Sequence, residues 1–237
     1  MRAIDLNADL GEGGADDLAL LSLISSANIA CGGHAGDEQS MRAAIQAAMA
    51  AGVSLGAHPS YEDREYFGRR AMVIPLDEVT DTVFDQVKRI AELTNLLGGR
   101  LHHVKPHGSL YNQADRDELL ARAVVKGIVR VSPRLILYAP PAGKLAEAGR
   151  SAGLVVCAEG FADRRYLENG SLMPRAELGA VIADVDEALA QAKALVSGGT
   201  IETVCVHGDG TTALQMLQAL RAAFEADHLM IRCKPGN

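Results

Sequence analysis

Tryptophan is absent, and aromatic residues are only 4% of the 237-residue chain. That leaves no stacking platform for bases or sugars. Cysteine is scarce: Cys31, Cys157, Cys205 and Cys233 lie far apart and form no CxxC pair. A disulfide scaffold is thereby excluded, and a reduced, cytoplasmic protein is expected. There is no excess of positive charge. The net charge of −7 argues against a general nucleic-acid or membrane-surface binder. No apolar run reaches the length of about 18 residues that a transmembrane helix needs. Met1-Arg2-Ala3-Ile4-Asp5 carries charge too early for a secretory leader. Nucleotide fingerprints are missing as well. Ala142-Gly143-Lys144-Leu145 has the lysine of a phosphate loop but neither its spacing nor its hydroxyl, and Gly11-x-Gly13-Gly14 is not GxGxxG. Any use of ATP must rest on an unfamiliar site or on another chain.

What is present is a 48% apolar chain, enough for a large core, of a length that suits one α/β domain over residues 1–237. The stretch Asn28 to Asp37 sets the plan: strand, polar glycine-rich turn, helix. Strands are predicted over Ala3 to Asp9, Ser25 to Cys31, Val53 to Ala57, Leu101 to Lys105, Leu135 to Tyr138, Leu154 to Ala158 and Ile201 to Val206. Helices are predicted from Asp16 to Ile24, from Asp37 to Gly52, from Leu76 to Gly98, from Asp115 to Val131, from Pro140 to Ala152, from Asp184 to Val196, and through Leu214, Leu217, Leu220 and Phe224. Residues after Arg164 to about Arg175 read as a hairpin or loop. Such alternation means a parallel sheet with helices outside. Polar clusters follow nearly every strand, which favours a closed barrel with one shared rim over an open sheet with a single switch point. The expected fold is a variant TIM-like barrel of about seven strands.

Asp5, Asn7 and Asp9 share one face of the first strand, Asn7 and Asp9 nearer the rim and Asp5 deeper. Buried carboxylates need partners, so this face is not plain core. His34, His58, His107 and His207 all stand at strand ends, where they serve as bases, hydrogen-bond donors or metal ligands. Cys31-x-x-His34 is a further possible ligand pair, although no local zinc signature such as HExxH is present. Cys31 as a nucleophile is weaker than Cys31 as a small buried thiol. Lys105, on the same face as His103, needs an anion or a carboxylate such as Asp9 or Glu159. Arg69-Arg70, Arg164-Arg165 and Arg175 lie in rim loops and together suggest an anionic ligand. Glu159, Asp163 and Asp209 are candidate acid–base groups.

These residues also carry a resemblance. Asp5-Leu6-Asn7-Ala8-Asp9-Leu10-Gly11-Glu12, Asn28 to Asp37, Gly56-Ala57-His58-Pro59, Phe67-Gly68-Arg69-Arg70, Val104 to Asn112, Phe161-Ala162-Asp163-Arg164 with Tyr166, Pro174-Arg175 and Cys205-Val206-His207-Gly208-Asp209 match in order along nearly the whole chain. The chain resembles the LamB/YcsF family, the A component of 5-oxoprolinase. It departs at Tyr66, where the family has Gly, and at Gly210-Thr211, where the family has Thr-Pro. The resemblance implies a seven-stranded variant barrel akin to polysaccharide deacetylases. It implies ATP-dependent opening of 5-oxo-L-proline to L-glutamate with partner subunits B and C; the missing nucleotide motif agrees with a division of labour in which the partners activate the lactam with ATP. On that reading Asp9, His107 or Asp209 activates water, and Lys105 with the arginines holds a carboxylate or a phosphorylated intermediate. Asn7, Asn28, His34, His58, Arg69, Glu159, Arg164, Arg175 and His207 complete the substrate site. Two alternatives stand beside it: a metal-dependent amide or carbohydrate deacetylase, and a non-catalytic 5-oxoproline carrier.

Overall fold

In the first strand, β1 (Ala3–Leu10), the alternation sorts residues between two interiors. Ile4, Leu6, Ala8 and Leu10 join the large apolar core under the helices, whereas Asp5, Asn7 and Asp9 are buried among polar partners. The computed structural model describes residues 2–14, 16–208 and 210–236. After β1 come α1 (Asp17–Leu21), β2 (Ser26–Ala30), α2 (Glu38–Ala50), β3 (Ser54–His58) and α3 (Leu76–Leu96). Then follow β4 (Leu101–Val104), α4 (Gly108–Ala114), α5 (Glu118–Val131), β5 (Ile136–Ala139) and α6 (Lys144–Ser151). The chain ends with β6 (Val156–Phe161), α7 (Val185–Ser197), β7 (Thr203–Val206), α8 (Ala213–Ala226) and a two-residue β8 (Met230–Ile231).

Strands β1 to β7 pair in parallel in chain order, and β7 returns to β1. The sheet is therefore the closed seven-stranded barrel that the alternation predicts. β8 is additional. The Leu6 carbonyl takes the Ser25 N–H and the Ile4 carbonyl takes the Arg232 N–H, so β8 lies on the edge of β1 that β2 uses higher up. Helix starts follow local chemistry. Asp37 and Ser40 form a reciprocal cap on α2, Asp117 caps α5 and Asp184 caps α7.

Several boundaries differ from those expected. α6 begins at Lys144, not at Pro140, because Pro141 keeps Pro140 out of the helical region. The helix expected from Asp115 to Val131 begins at Glu118 as α5, and a separate short helix, α4, precedes it where none was expected. β6 runs to Phe161 rather than stopping at Ala158, which brings Glu159 and Phe161 into the barrel strand itself. Gly160 sits between them on the outer side, where a Cβ would lie 3.0 Å from Ile201 and 3.2 Å from Leu195.

The barrel interior is layered, and its layers are polar. At the bottom, Asp5 accepts from Ser25, Ser26 and Thr203 at 2.6, 2.8 and 2.6 Å. Ile136, Tyr138 and Cys157 form a small separate apolar cluster there. One layer up, Asn7, Asn28, His103 and Glu159 are joined by hydrogen bonds. Gly56 makes this layer possible, because a Cβ there would lie 2.1 Å from His103 Nε2. Gly56→Ala should therefore displace His103 and lower stability by about 2 kcal/mol or more, a fall in Tm of several degrees for a chain of this length. Thermal unfolding followed by circular dichroism measures it, and an unchanged Tm would show that the His103 layer has room to move.

Candidate active site

Each upper barrel position is delivered by a strand end. β1 brings Asp9, and the turn after it brings Glu12. The ends of β2, β3 and β4 bring His34, His58, Lys105 and His107, while β6 and β7 bring Glu159, Phe161, Cys205 and His207. Lys105 is the hub. Its Nζ donates to Asp9 Oδ1 at 3.1 Å and to Asn7 Oδ1 at 3.3 Å. It lies 3.1 Å from Glu159 Oε1, 2.9 Å from Cys205 Sγ and 5.1 Å from the centroid of the Phe161 ring. Burial alone would lower the Lys105 ammonium, but the Asp9 and Glu159 carboxylates hold its pKa well above the ordinary value. Burial would raise the Asp9 carboxyl, and His58 and Lys105 instead hold it well below the usual carboxylate range. The pair is a buried charged unit.

Beneath it the carboxylates are fixed by neutral donors. Asn28 Nδ2 donates to Asp9 Oδ1 at 2.9 Å and to Asn7 Oδ1 at 2.8 Å. Asn7 Nδ2 donates to Glu159 Oε1 at 3.0 Å and to Thr203 Oγ1 at 2.7 Å. The Tyr111 hydroxyl donates to Glu159 Oε2 at 2.8 Å. Across the barrel mouth, Asp163 accepts both the backbone N–H of His207 at 3.0 Å and its Nδ1–H at 2.9 Å. A His207 ring nitrogen lies within 4.8 Å of an Asp9 oxygen and of Cys205 Sγ. Burial opposes charge on Asp163, and His207 nonetheless keeps its pKa below the ordinary value.

A cavity of about 750 Å³ opens above Lys105. Of the residues singled out from sequence, Asp9, His58, Arg69, Lys105, His107, Arg164, Arg175 and His207 line it. Asn7, Asn28, His34 and Glu159 are not among its lining residues. Asn7 lies one strand repeat of about 6.6 Å below Asp9, so it and its partners Asn28 and Glu159 form the floor under Lys105. His34 packs behind His107, ring on ring at 3.7 Å. Asp209 lies outside the described residues. Arg70 and Arg165 are not mouth cations. Arg70 pairs with Asp63 at 3.1 Å over the Tyr66 ring, and Arg165 pairs with Glu187 at 2.8 Å. Cys31 has the surroundings of a small buried thiol, not of an activated one. It lies in the apolar core, where burial pushes its thiol up to about 12. Tyr111, Phe161, Cys205 and Thr203 join the site without having been singled out for their chemistry, since nothing local marks an inward-facing tyrosine or phenylalanine.

Lys105→Met should leave the Asp9 and Glu159 carboxylates buried without their cation and lower stability by about 3–5 kcal/mol at pH 7. Because Asp9 titrates lower in the folded state, its contribution is present above the unfolded value of about 3.9 and is lost as pH falls through the folded value. The gap between wild type and variant should therefore narrow below about pH 4. Urea unfolding at a series of pH values reads this directly, and equal stability at pH 7 would refute the balance of charges described.

Comparison with known proteins agrees with the geometry. The model of the LamB/YcsF family matches residues 4–235. The chain is similar over 98% of its length, and over all of the other chain, to the crystal structure of a lactam utilization protein from Thermus thermophilus, at 36% identity and a TM-score of 0.90. Two further structures share the fold alone. One is the catalytic domain of a peptidoglycan N-acetylglucosamine deacetylase from Eubacterium rectale (11% identity, 98% and 89% coverage, TM-score 0.55). The other is the polysaccharide deacetylase Bc1974 from Bacillus cereus (15% identity, 99% and 93% coverage, TM-score 0.53). With its ordered strand-end motifs and its closed seven-stranded barrel, this chain belongs to the LamB/YcsF family.

Proposed function

We propose that this chain opens the ring of a cyclic amide, 5-oxo-L-proline, to give L-glutamate, as one component of an ATP-dependent 5-oxoprolinase. The carrying observation is the cavity itself. It is lined by the cations Lys105, Arg69, Arg164 and Arg175 and by the carboxylate–imidazole groups Asp9 and His207, on a chain whose net charge is −7. A small carboxylate, or the same molecule with a phosphoryl group, matches that lining. The similarity to a lactam utilization protein supports the amide as the reacting group. Four unpaired cysteines accord with a cytoplasmic setting.

An unactivated lactam is a poor electrophile. Subunits B and C are proposed to hold ATP and transfer its terminal phosphoryl group to the lactam oxygen. Water then adds to the activated carbon and gives its proton to His207, which Asp163 orients as a base. The ring C–N bond breaks, and the nitrogen takes a proton back from the His207 imidazolium. The acyl phosphate left behind is hydrolysed by a second water to glutamate and phosphate. Lys105 and the arginines offset the negative charge that builds on the oxygens. Asp9 stays ionised beside Lys105 and directs the attacking water. His107 is assigned a different place from the water-activating one expected from sequence, since both of its ring nitrogens already face protein groups.

The test is 5-oxoproline-dependent ATP hydrolysis and glutamate release by the reconstituted complex. Omitting this chain should abolish glutamate release. His207→Asn should lower kcat about 10²–10⁴-fold with little change in KM. Arg69→Ala, at the exposed rim, should instead raise KM about tenfold. Glutamate release by subunits B and C alone would overturn the proposal, and full activity of His207→Asn would remove His207 from the chemistry.

A further inference from the structure

Beside the Lys105 cluster stands a second group, Glu12, His34, His58 and His107, which the proposed reaction does not use. One ligand atom from each lies within 4.8 Å of all the others. His58 Nδ1 is 2.7 Å from the Lys105 carbonyl, and His107 Nε2 is 2.9 Å from the Phe67 carbonyl. A carbonyl only accepts, so these two nitrogens carry the hydrogens. When both rings are neutral, the opposite nitrogens, His58 Nε2 and His107 Nδ1, carry lone pairs, and they face each other at 2.9 Å. Two acceptors at that distance repel unless something positive lies between them. Glu12 Oε1 closes the group, at 2.9 Å from His34 Nε2, 3.5 Å from His107 Nδ1 and 3.8 Å from His58 Nε2.

From this geometry we infer a binding site for one first-row transition-metal dication of the zinc class, held by Glu12, His34, His58 and His107. Metal–nitrogen bonds of about 2.0–2.1 Å in a tetrahedron separate the ligand atoms by about 3.3–3.4 Å. Four of the six separations, at 2.9, 2.9, 3.5 and 3.8 Å, bracket that value, and the two between His34 and the other imidazoles lie within 4.8 Å. Three imidazoles and one carboxylate suit zinc, cobalt or iron rather than calcium or magnesium, which take oxygen ligands. The outer hydrogen bonds from His58 and His107 to carbonyls are those that fix the tautomer of a metal-binding imidazole. The loop that supplies one of these carbonyls turns tightly against the imidazoles. Phe67 has φ +55° and Gly68 φ +65°, and a Cβ on Gly68 would lie 2.9 Å from both His34 and His107. His34 Nδ1 is buried without a hydrogen-bond partner among the described residues, so nothing outside the cluster dictates which nitrogen it turns inward. The neighbouring trio Asp9, Cys205 and His207 is not a second site, because the Lys105 ammonium already lies against Asp9 and Cys205.

The site shares His58 and His107 with the cavity lining, and it is tested by binding alone, with no readout of the proposed reaction. The chelator-treated, full-length chain is titrated with Co²⁺, followed by its visible ligand-field absorption, and with Zn²⁺ by calorimetry. One equivalent per chain and a four-coordinate cobalt spectrum are expected. His107→Ala, and the milder Glu12→Gln at a half-buried position, should each weaken binding by more than the about 10–100-fold loss seen for outer-shell changes. Circular dichroism confirms that each variant is folded. The inference is overturned if the folded wild-type chain shows no saturable binding of either ion, which would assign a proton to the gap between His58 and His107. It is equally overturned if Glu12→Gln and His107→Ala both bind as tightly as wild type.

Discussion

The buried ammonium of Lys105 is the constraint around which the barrel is arranged. Removing an ion from water costs several kcal/mol even after relaxation, and only closely held opposite charges offset that. Lys105 has two, Asp9 and Glu159, each at 3.1 Å. Those carboxylates carry lone pairs of their own to satisfy. Asn28, Asn7 and Tyr111 supply the donors, and His103 then donates to the remaining oxygen of Asn28. Each layer of polar residues answers a need created by the layer above it. The interior therefore departs from the bulky branched side chains that usually fill such barrels.

That chain of needs explains which parts of the molecule are legible in the sequence. The alternation Asp5-Asn7-Asp9 can be read because period two is a property of one strand, and it places Asp5 deeper than Asp9, as the structure has it. A partner for Lys105 among Asp9 and Glu159 is legible from charge alone, and the lysine takes both. The closed seven-stranded barrel follows from polar residues recurring at strand ends. Tyr111 and Cys205 are not legible as site residues, because their role depends on a turn of α4 and a register of β7 that only the closed barrel sets. β8 is invisible for a related reason. Two residues, Met230 and Ile231, hold no period, and they pair only because the lower edge of β1 is open.

The placement of the polar residues within the site has one cause. Asn7, Asn28 and Glu159 group with Asp9 in the sequence because all are polar and near strand ends. Depth decides between floor and mouth, and depth is set by register. Asn7 lies one repeat below Asp9 on β1, and Asn28, which pairs with Asp9 across the β1–β2 ladder, donates to both of them. The same ambiguity divides the arginines. Arg69 and Arg70 are adjacent, yet Arg69 lines the cavity while Arg70 is committed to Asp63. Adjacent residues in a loop point in different directions, and the left-handed turn at Phe67–Gly68 settles which one faces inward.

The division of charge by depth also bears on how a ligand arrives. The chain as a whole repels anions, since its net charge is −7. Inside the mouth the sign is reversed locally by Lys105, Arg69, Arg164 and Arg175. A field of that shape acts within about a Debye length, about 8 Å at physiological salt, so it captures an anion already at the rim rather than drawing one from afar. Lys105 contributes least to that field, because Asp9 and Glu159 neutralise it. The arginines in the loops therefore set capture, and the buried lysine sets the position of the carboxylate that meets the ligand. Rim and floor are separable in kind: one governs how much ligand is held, the other what can happen to it.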